Sequence, residues 1–209
     1  MVRVKVCGIT TIADARHAVA CGADEIGLNF YSKSPRFIST SVGQEIANAI
    51  DASVKLVGVF VNAAEREIAL TAKQCGLDAV QLHGDETIEF ARKIAQENQL
   101  RVIRAVEGVK AIRILDELKG SGLSLLIDAP AKGAFGGTGS VSDWNLAAKA
   151  ASMYDRVYLA GGLGPDNVAD AIRNVRPFCV DACSKLESAK GKKDPAKVAA
   201  FIEAAKNVL

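Results

Sequence analysis

Apolar and polar positions divide the chain into two kinds of segment. Eight short runs are dense in valine, isoleucine, leucine or phenylalanine and end near glycine, aspartate, asparagine or proline, as buried parallel strands do. They cover residues 2–7, 24–30, 54–61, 77–83, 100–106, 123–129, 156–161 and 178–182. Between them the apolar positions follow a helical period, so the sequence predicts strands and helices in regular alternation.

The predicted helices cover residues 11–21, 41–51, 64–75, 86–97, 109–119, 143–152, 165–175 and 194–208. Gly22 and Gly76 directly follow the first and third of them, where glycine relieves the left-handed strain at a helix end. Pro165 and Pro195 lie where the first turn of a helix tolerates proline. These signals set the expected helix boundaries.

Eight strand–helix units in 209 residues favour an α/β fold, a single-domain (β/α)8 TIM barrel covering residues 1–209. A weak internal repeat, ACGADEIGLNF and QCGLDAVQLHG, supports one continuous domain. The alternative is an open doubly wound sheet. That fold normally carries a glycine-rich fingerprint after its first strand, where this chain has CGITT.

Charge and composition exclude several classes of function. The 26 basic and 24 acidic residues leave a formal charge of +2, which predicts no nucleic-acid partner. No apolar run reaches the roughly 20 residues of a membrane span, and the first residues lack a signal-peptide pattern. We therefore expect a cytoplasmic protein whose five cysteines are reduced thiols. Two histidines without a nearby cysteine or histidine cluster predict no metal site.

Polar residues at the carboxyl ends of barrel strands are the first candidates for chemistry. Lys5 and Cys7 share one face of the first strand, so we expect both to point into the barrel. A thiol near a cation and a helix N-terminus is a plausible base or nucleophile, although a buried structural cysteine is the alternative. Asp128 ends the apolar run LSLLI, where a carboxylate is suited to proton transfer or to capping a turn.

The loops after the seventh and eighth strands predict a phosphate site. Gly161 and Gly162 precede a helix, and glycines there let backbone N–H groups approach an anion. Asp181 and Ser184 follow at the same end of the barrel. Barrels often bind phosphate with these two loops.

Three further segments complete the predicted rim of the site. Arg36 follows the second strand and offers a planar fork to a carboxylate, and His83 follows the fourth strand and can hydrogen-bond or stack on a ring. The segment GAFGGTG, which contains Gly136 and Gly137, follows Asp128 and is interpreted either as a lid or as a simple connection.

Several motifs, taken together, resemble the phosphoribosylanthranilate isomerase family. They occur in the family's order over nearly the whole chain: KVCGIT, FYSKSPR, VGVFVN, VQLHGDE, GGTGSVSDW, LAGGLGPDNV and VDACSKLES. The resemblance implies a (β/α)8 barrel that performs an Amadori rearrangement in tryptophan biosynthesis, without metal or cofactor.

The resemblance also implies roles for individual residues. Cys7 is expected to be the general base and Asp128 the general acid. Substrate contacts are expected from Arg36 and His83, with Gly136 and Gly137 in a neighbouring loop. The phosphate end is expected to involve four residues, Gly161, Gly162, Asp181 and Ser184.

This chain departs from the family pattern mainly after the eighth strand, where Cys183 replaces a hydroxyl or amide and Lys185 replaces a small residue. Ser142 stands where an aromatic residue is usual. Two alternatives stay open at this stage, another sugar-phosphate isomerase or epimerase on the same barrel and a non-catalytic phosphosugar-binding protein. The sequence is compatible with both a monomer and a homodimer.

Overall fold

The computed structural model describes residues 1–129 and 142–208. Its eight parallel strands are β1 Arg3–Cys7, β2 Glu25–Asn29, β3 Lys55–Phe60, β4 Ala79–Leu82, β5 Arg101–Glu107, β6 Ser124–Asp128, β7 Val157–Leu159 and β8 Cys179–Ala182. Each strand pairs with the next, and β8 pairs with β1, so the sheet closes into a barrel. The predicted TIM barrel is confirmed, and the open doubly wound sheet is ruled out.

The described part of the chain has eight α-helices, which surround the barrel: α1 Ile12–Ala20, α2 Thr40–Ala49, α3 Glu65–Cys75, α4 Ile88–Asn98, α5 Gly108–Leu118, α6 Trp144–Met153, α7 Val168–Val175 and α8 Pro195–Lys206. Their ends follow from local chemistry. The Thr11 hydroxyl accepts a hydrogen bond from the N–H of Asp14 at the start of α1. Gly76 ends α3 with a left-handed φ of 59°.

The core has two layers. Residues that point out of the barrel, such as Val4, Val6 and Ile26, are fully buried against the helices. A smaller cluster fills the lower barrel interior and includes Val57, Leu126 and Tyr158. Closure of the sheet thus buries both faces of every strand, which explains why the strands read as continuous apolar runs.

Two features differ from the sequence prediction. The predicted helix 165–175 begins only at Val168, because the side chain of Asn167 folds back onto the Gly162 carbonyl and the Gly164 N–H. Pro165 therefore lies in a turn, not in the first turn of α7. The loop after β8 also contains elements that were not predicted, a 3-10 turn at Ser184–Leu186 and an antiparallel pair, β9 Glu187–Ala189 and β10 Lys192–Lys193.

Candidate active site

The barrel brings the predicted acid–base residues to one end of the molecule. Cys7 and Asp128 are the last residues of β1 and β6, and His83 directly follows β4. All strands are parallel, so these three residues lie at the same carboxyl-terminal mouth. Cys7 and Asp128 are each 8% exposed.

A chain of hydrogen bonds crosses the barrel interior beneath this mouth. Lys5 is fully buried, and its Nζ donates to Asp181 Oδ2 at 2.8 Å and to Gln81 Oε1 at 2.9 Å. Gln81 Nε2 lies 2.9 Å from His83 Nδ1. His83 Nε2 in turn lies 3.3 Å from Asp128 Oδ2. The chain therefore connects β8, β1, β4 and β6.

This chain of hydrogen bonds determines whether each ring nitrogen of His83 donates or accepts a hydrogen bond. Gln81 accepts from Lys5 through its oxygen, so its amide nitrogen is directed as a donor to His83 Nδ1. Nδ1 is then an acceptor, and Nε2 carries the proton that faces Asp128. The other carboxylate oxygen, Asp128 Oδ1, accepts the N–H of Ala129 at 2.8 Å. Both oxygens of the Asp128 side chain therefore have a hydrogen-bond donor beside them.

The loop that carries His83 is itself held by an arginine on the next strand. Arg104 of β5 donates to the carbonyls of Leu82, Gly84 and Glu86 at 2.8–2.9 Å. The three carbonyls lie before and after His83 in the chain. Because one planar guanidinium binds all of them, it fixes the path of the loop.

Cys7 has a second thiol as its neighbour. Lys5 pairs with Asp181, and Val6 pairs with Ala182, so Cys7 and Cys183 each lie one residue beyond the last pair of β1 and β8. Their hydrogen bond, together with burial, raises the pKa of Cys7, while the Lys5 ammonium opposes that rise. The same hydrogen bond lowers the pKa of Cys183 to about 7; burial opposes this shift, and Lys193 and Arg36 favour it.

Arg36 is occupied by a carboxylate of the protein. Its Nε and Nη2 donate to the two oxygens of Glu187, each at 2.9 Å. Lys193 Nζ lies 3.3 Å from Glu187 Oε1 and 3.8 Å from Cys183 Sγ. The bidentate pair joins the loop after β2 to the β9–β10 hairpin and leaves Nη1 of Arg36 outside the contact with Glu187.

The predicted phosphate loops meet beside this hairpin. Gly161 and Gly162 have φ values of 85° and 64°, which only glycine adopts readily. A Cβ at Gly161 would lie 2.5 Å from the Ala129 nitrogen, so the two loops touch. A Cβ at Gly164 would lie 3.2 Å from Lys185 Cβ, which places Lys185 next to the same loop. Ser184 begins the 3-10 turn after β8.

The position of Asp181 does not suit the phosphate contact expected for it. Its carboxylate lies in the barrel interior, where Oδ2 is paired with Lys5. A carboxylate has no hydrogen-bond donor for a phosphate oxygen and repels its charge. Oδ1 has no hydrogen-bonding partner among the described residues. Asp181 is better suited to hold Lys5 and to accept a hydrogen bond from a hydroxyl group.

Sequence reasoning missed several residues of this site. Gln81 alternates with His83 along one strand face and so could have been found by period-two spacing. Glu187 and Lys193 lie on a hairpin that the sequence did not predict. Gly136 and Gly137 lie outside the described residues, so their predicted contact with substrate stays a prediction.

The described residues, 1–129 and 142–208, contain neither a cluster of metal ligands nor a membrane-spanning helix. They contain no group of three or more histidine, cysteine, aspartate or glutamate side chains placed to hold a metal ion. No helix within those ranges is long and apolar enough to cross a membrane.

Fold and site together define a (β/α)8-barrel protein in which a thiol, an imidazole and a carboxyl group lie at the carboxyl-terminal mouth. A family model described as N-(5'phosphoribosyl)anthranilate (PRA) isomerase matches residues 4–204. The N-(5'-phosphoribosyl)anthranilate isomerase of Trichlorobacter lovleyi is 45% identical, with both chains fully covered. That of Myxococcus xanthus is 44% identical over 99% of this chain and 97% of its own. The chain belongs to the phosphoribosylanthranilate isomerase family.

Solved structures agree with this assignment. Phosphoribosyl anthranilate isomerase from Thermotoga maritima is 40% identical and superposes with a TM-score of 0.90 over 99% of both chains. A solved phosphoribosyl anthranilate isomerase in complex with reduced 1-(o-carboxyphenylamino)-1-deoxyribulose 5-phosphate is 40% identical over 99% of both chains, with a TM-score of 0.87. Another solved structure, 39% identical to this chain, contains generated monomers of the dimeric Thermotoga maritima protein.

Proposed function

We infer that this chain isomerises N-(5'-phosphoribosyl)anthranilate in tryptophan biosynthesis, as its family does, and we propose that Cys7 and Asp128 carry the two proton transfers. The reaction opens the furanose ring to a Schiff base and then moves a proton from the adjacent sugar carbon. The observation that carries the assignment is the placement of these two groups at one barrel mouth, in a chain of this family.

Asp128 is proposed as the acid that protonates the ring oxygen. His83 and the N–H of Ala129 hold the two oxygens of its carboxyl group, which restricts the direction in which a proton can be delivered. Restricting that direction matters because proton transfer requires hydrogen-bonding distance and alignment. His83 in this proposal positions the acid, in addition to the substrate contact expected from the sequence.

Cys7 is proposed as the base that removes the proton from the sugar carbon. Above the pKa of Cys183, about 7, the two hydrogen-bonded thiols carry one negative charge and share one proton. The charge resides on Cys7 when the proton moves to Cys183, and the Lys5 ammonium beneath favours that state. The electron pair of the broken C–H bond moves towards the iminium nitrogen, which gives an enolamine. The enolamine then tautomerises to the ketone.

The two ends of the substrate are assigned to the two sides of the mouth. Gly161, Gly162 and Ser184, with Lys185 beside them, are proposed to bind the phosphate. Arg36 is proposed to bind the anthranilate carboxylate through Nη1, which Glu187 does not occupy. Four expectations from the sequence stay predictions. They are the substrate contacts of Gly136 and Gly137, a single domain over residues 1–209, a cytoplasmic location, and a monomeric or homodimeric state.

The activity is tested by mixing purified protein with freshly made substrate and following the loss of anthranilate fluorescence. Folded protein that gives no decay above background would defeat the assignment. Activity only on another sugar phosphate would favour the epimerase alternative.

The residue roles are tested by Cys7→Ser and Asp128→Asn. Each should lower kcat by at least about a hundredfold, because general acid or base catalysis contributes about 10²–10⁴-fold. Both substitutions conserve size, so circular dichroism should match the parent. An unchanged kcat in either variant means that its role is misassigned.

A further inference from the structure

The thiol of Cys183 has no part in the proton transfers assigned to Cys7 and Asp128 beyond sharing a proton with Cys7. It is partly exposed at the barrel mouth, whereas Cys7 beside it is buried. By comparison with the family motif, a hydroxyl or amide is expected at this position, so the second sulfur distinguishes this chain from that motif. A second thiol next to a proposed catalytic thiol has chemistry that a hydroxyl lacks.

The charged groups around Cys183 come from four elements. Cys7 contacts it from β1, and Arg36 contributes a positive charge from the loop after β2. From the hairpin, Lys193 Nζ lies 3.8 Å from Sγ, and Glu187 Oε1 lies 3.9 Å from it. Arg36 and Lys193 already neutralise Glu187, and they remain close enough to stabilise a thiolate.

The backbone places the two sulfurs within reach of each other. Adjacent strands are about 4.8 Å apart, which falls within the Cα separation of about 4.4–6.8 Å found in disulfides. Lys5 and Asp181, two residues earlier on the same strand faces, already meet at 2.8 Å. A Cβ built on Gly8 would lie 2.7 Å from Cys183 Sγ, so this sulfur lies against the residue that follows Cys7.

We propose that Cys183 is a peroxide-reactive modification site that closes a reversible disulfide with Cys7. The Cys183 thiolate attacks hydrogen peroxide, so an S–O bond forms as the O–O bond breaks. Cys183 becomes a sulfenic acid, and the departing hydroxide takes up a proton to become water. The Cys7 sulfur then attacks the sulfenic sulfur and expels a second water. Two thiols are oxidised by two electrons, and one hydrogen peroxide is reduced to two waters.

Formation of the disulfide removes the sulfur lone pair that the proposed base needs, so turnover stops until a dithiol reduces the bond. This consequence for activity rests on the proposed role of Cys7. Formation of the bond itself does not, and mass spectrometry measures it independently.

The experiment treats the reduced full-length protein with hydrogen peroxide and follows intact mass and activity together. We expect a loss of two hydrogen masses, a non-reduced peptide that links Cys7 to Cys183, and parallel loss of activity that dithiothreitol reverses. The rate should rise with pH through a midpoint of about 7, because the thiolate is the nucleophile. If the mass falls by two hydrogens while activity is unchanged, the proposed disulfide is supported and the proposed role of Cys7 as the base is overturned.

Three variants separate the steps. Cys183→Ser should retain its own initial activity after peroxide, and Cys7→Ser should accumulate a Cys183 sulfenic acid that dimedone traps. Cys21→Ser is the matched control, because Cys21 is also partly exposed but lies at the end of α1 beside His17, and it should behave like the parent. The proposal is overturned if Cys183 does not react, or if it gains stable oxygen without linking to Cys7.

Discussion

Lys5 is a fully buried cation that is balanced by groups on two other strands. Burial alone would lower its pKa; the Asp181 carboxylate, together with Cys7 and Glu25, more than reverses this, so the pKa lies above its usual value. A raised lysine pKa stabilises the fold below the unfolded pKa of about 10.4, and the contribution is lost only as pH rises through the folded value. The pair thus persists throughout the neutral range.

Replacing Lys5 with methionine tests this balance. Lys5→Met leaves the Asp181 carboxylate buried without its cation and should lower the free energy of unfolding by about 3–5 kcal/mol. Urea unfolding followed by circular dichroism gives the value. The double variant Lys5→Met/Asp181→Leu should recover most of the loss, because no unpaired charge remains. A single variant as stable as the parent would contradict the pairing.

At the scale of elements, the loop between β7 and α7 depends on close contact with the loop after β6. Gly161 combines a φ of 85° with a Cβ position 2.5 Å from the Ala129 nitrogen. Gly120 has a similar φ of 71°, but nothing lies within 4 Å of its Cβ position. Substituting each of the two glycines in turn therefore distinguishes the cost of backbone strain from the cost of steric overlap.

Gly120→Ala should lower the free energy of unfolding by about 1 kcal/mol through strain alone and leave KM unchanged. Gly161→Ala should cost more than about 2 kcal/mol, because overlap with backbone adds to the strain. It should also raise KM severalfold, since the loop is proposed to bind phosphate. Thermal melts and steady-state kinetics measure both; equal effects of the two variants would argue against the loop contact.

The elements also show where sequence patterns stop being informative. The strands were predictable because both of their faces are buried, which leaves long apolar runs. The β9–β10 hairpin was not, because its residues ESAKGKK are charged and too few to show alternation. The pairs Arg36–Glu187 and Cys7–Cys183 depend on strand register and on that hairpin, so no local pattern contains them.

At the scale of the whole molecule, the proposed active site lies at one end of the barrel, and a buried cluster of charged residues stabilises the other end. At the end opposite the active site, Glu25 is fully buried at the start of β2. Arg3 and Arg101 lie 3.3 and 3.4 Å from its Oε1, and the Tyr158 hydroxyl donates to the same oxygen at 3.0 Å. Burial, and then the charge of Glu25, raise the pKa of Tyr158, so it remains a hydrogen-bond donor.

Tyr158→Phe removes that donor and leaves the rest of the cluster in place. The free energy of unfolding should fall by about 1–3 kcal/mol, because a buried carboxylate loses a hydrogen bond. Both kcat and KM should stay at parental values, since residues at this end do not contact the substrate. Urea titration and the fluorescence assay check the two halves; a large loss of kcat would show that the two ends are coupled.

The pairing of β1 with β8 affects how the protein folds while it is being synthesised. Lys5 and Cys7 leave the ribosome before Asp181 and Cys183, which lie within β8 and directly after it. Until β8 has been synthesised, β1 therefore carries an ammonium and a thiol whose native neighbours do not yet exist. A nascent chain that stalls before β8 thus has neither the buried ion pair of Lys5 nor the thiol pair of Cys7.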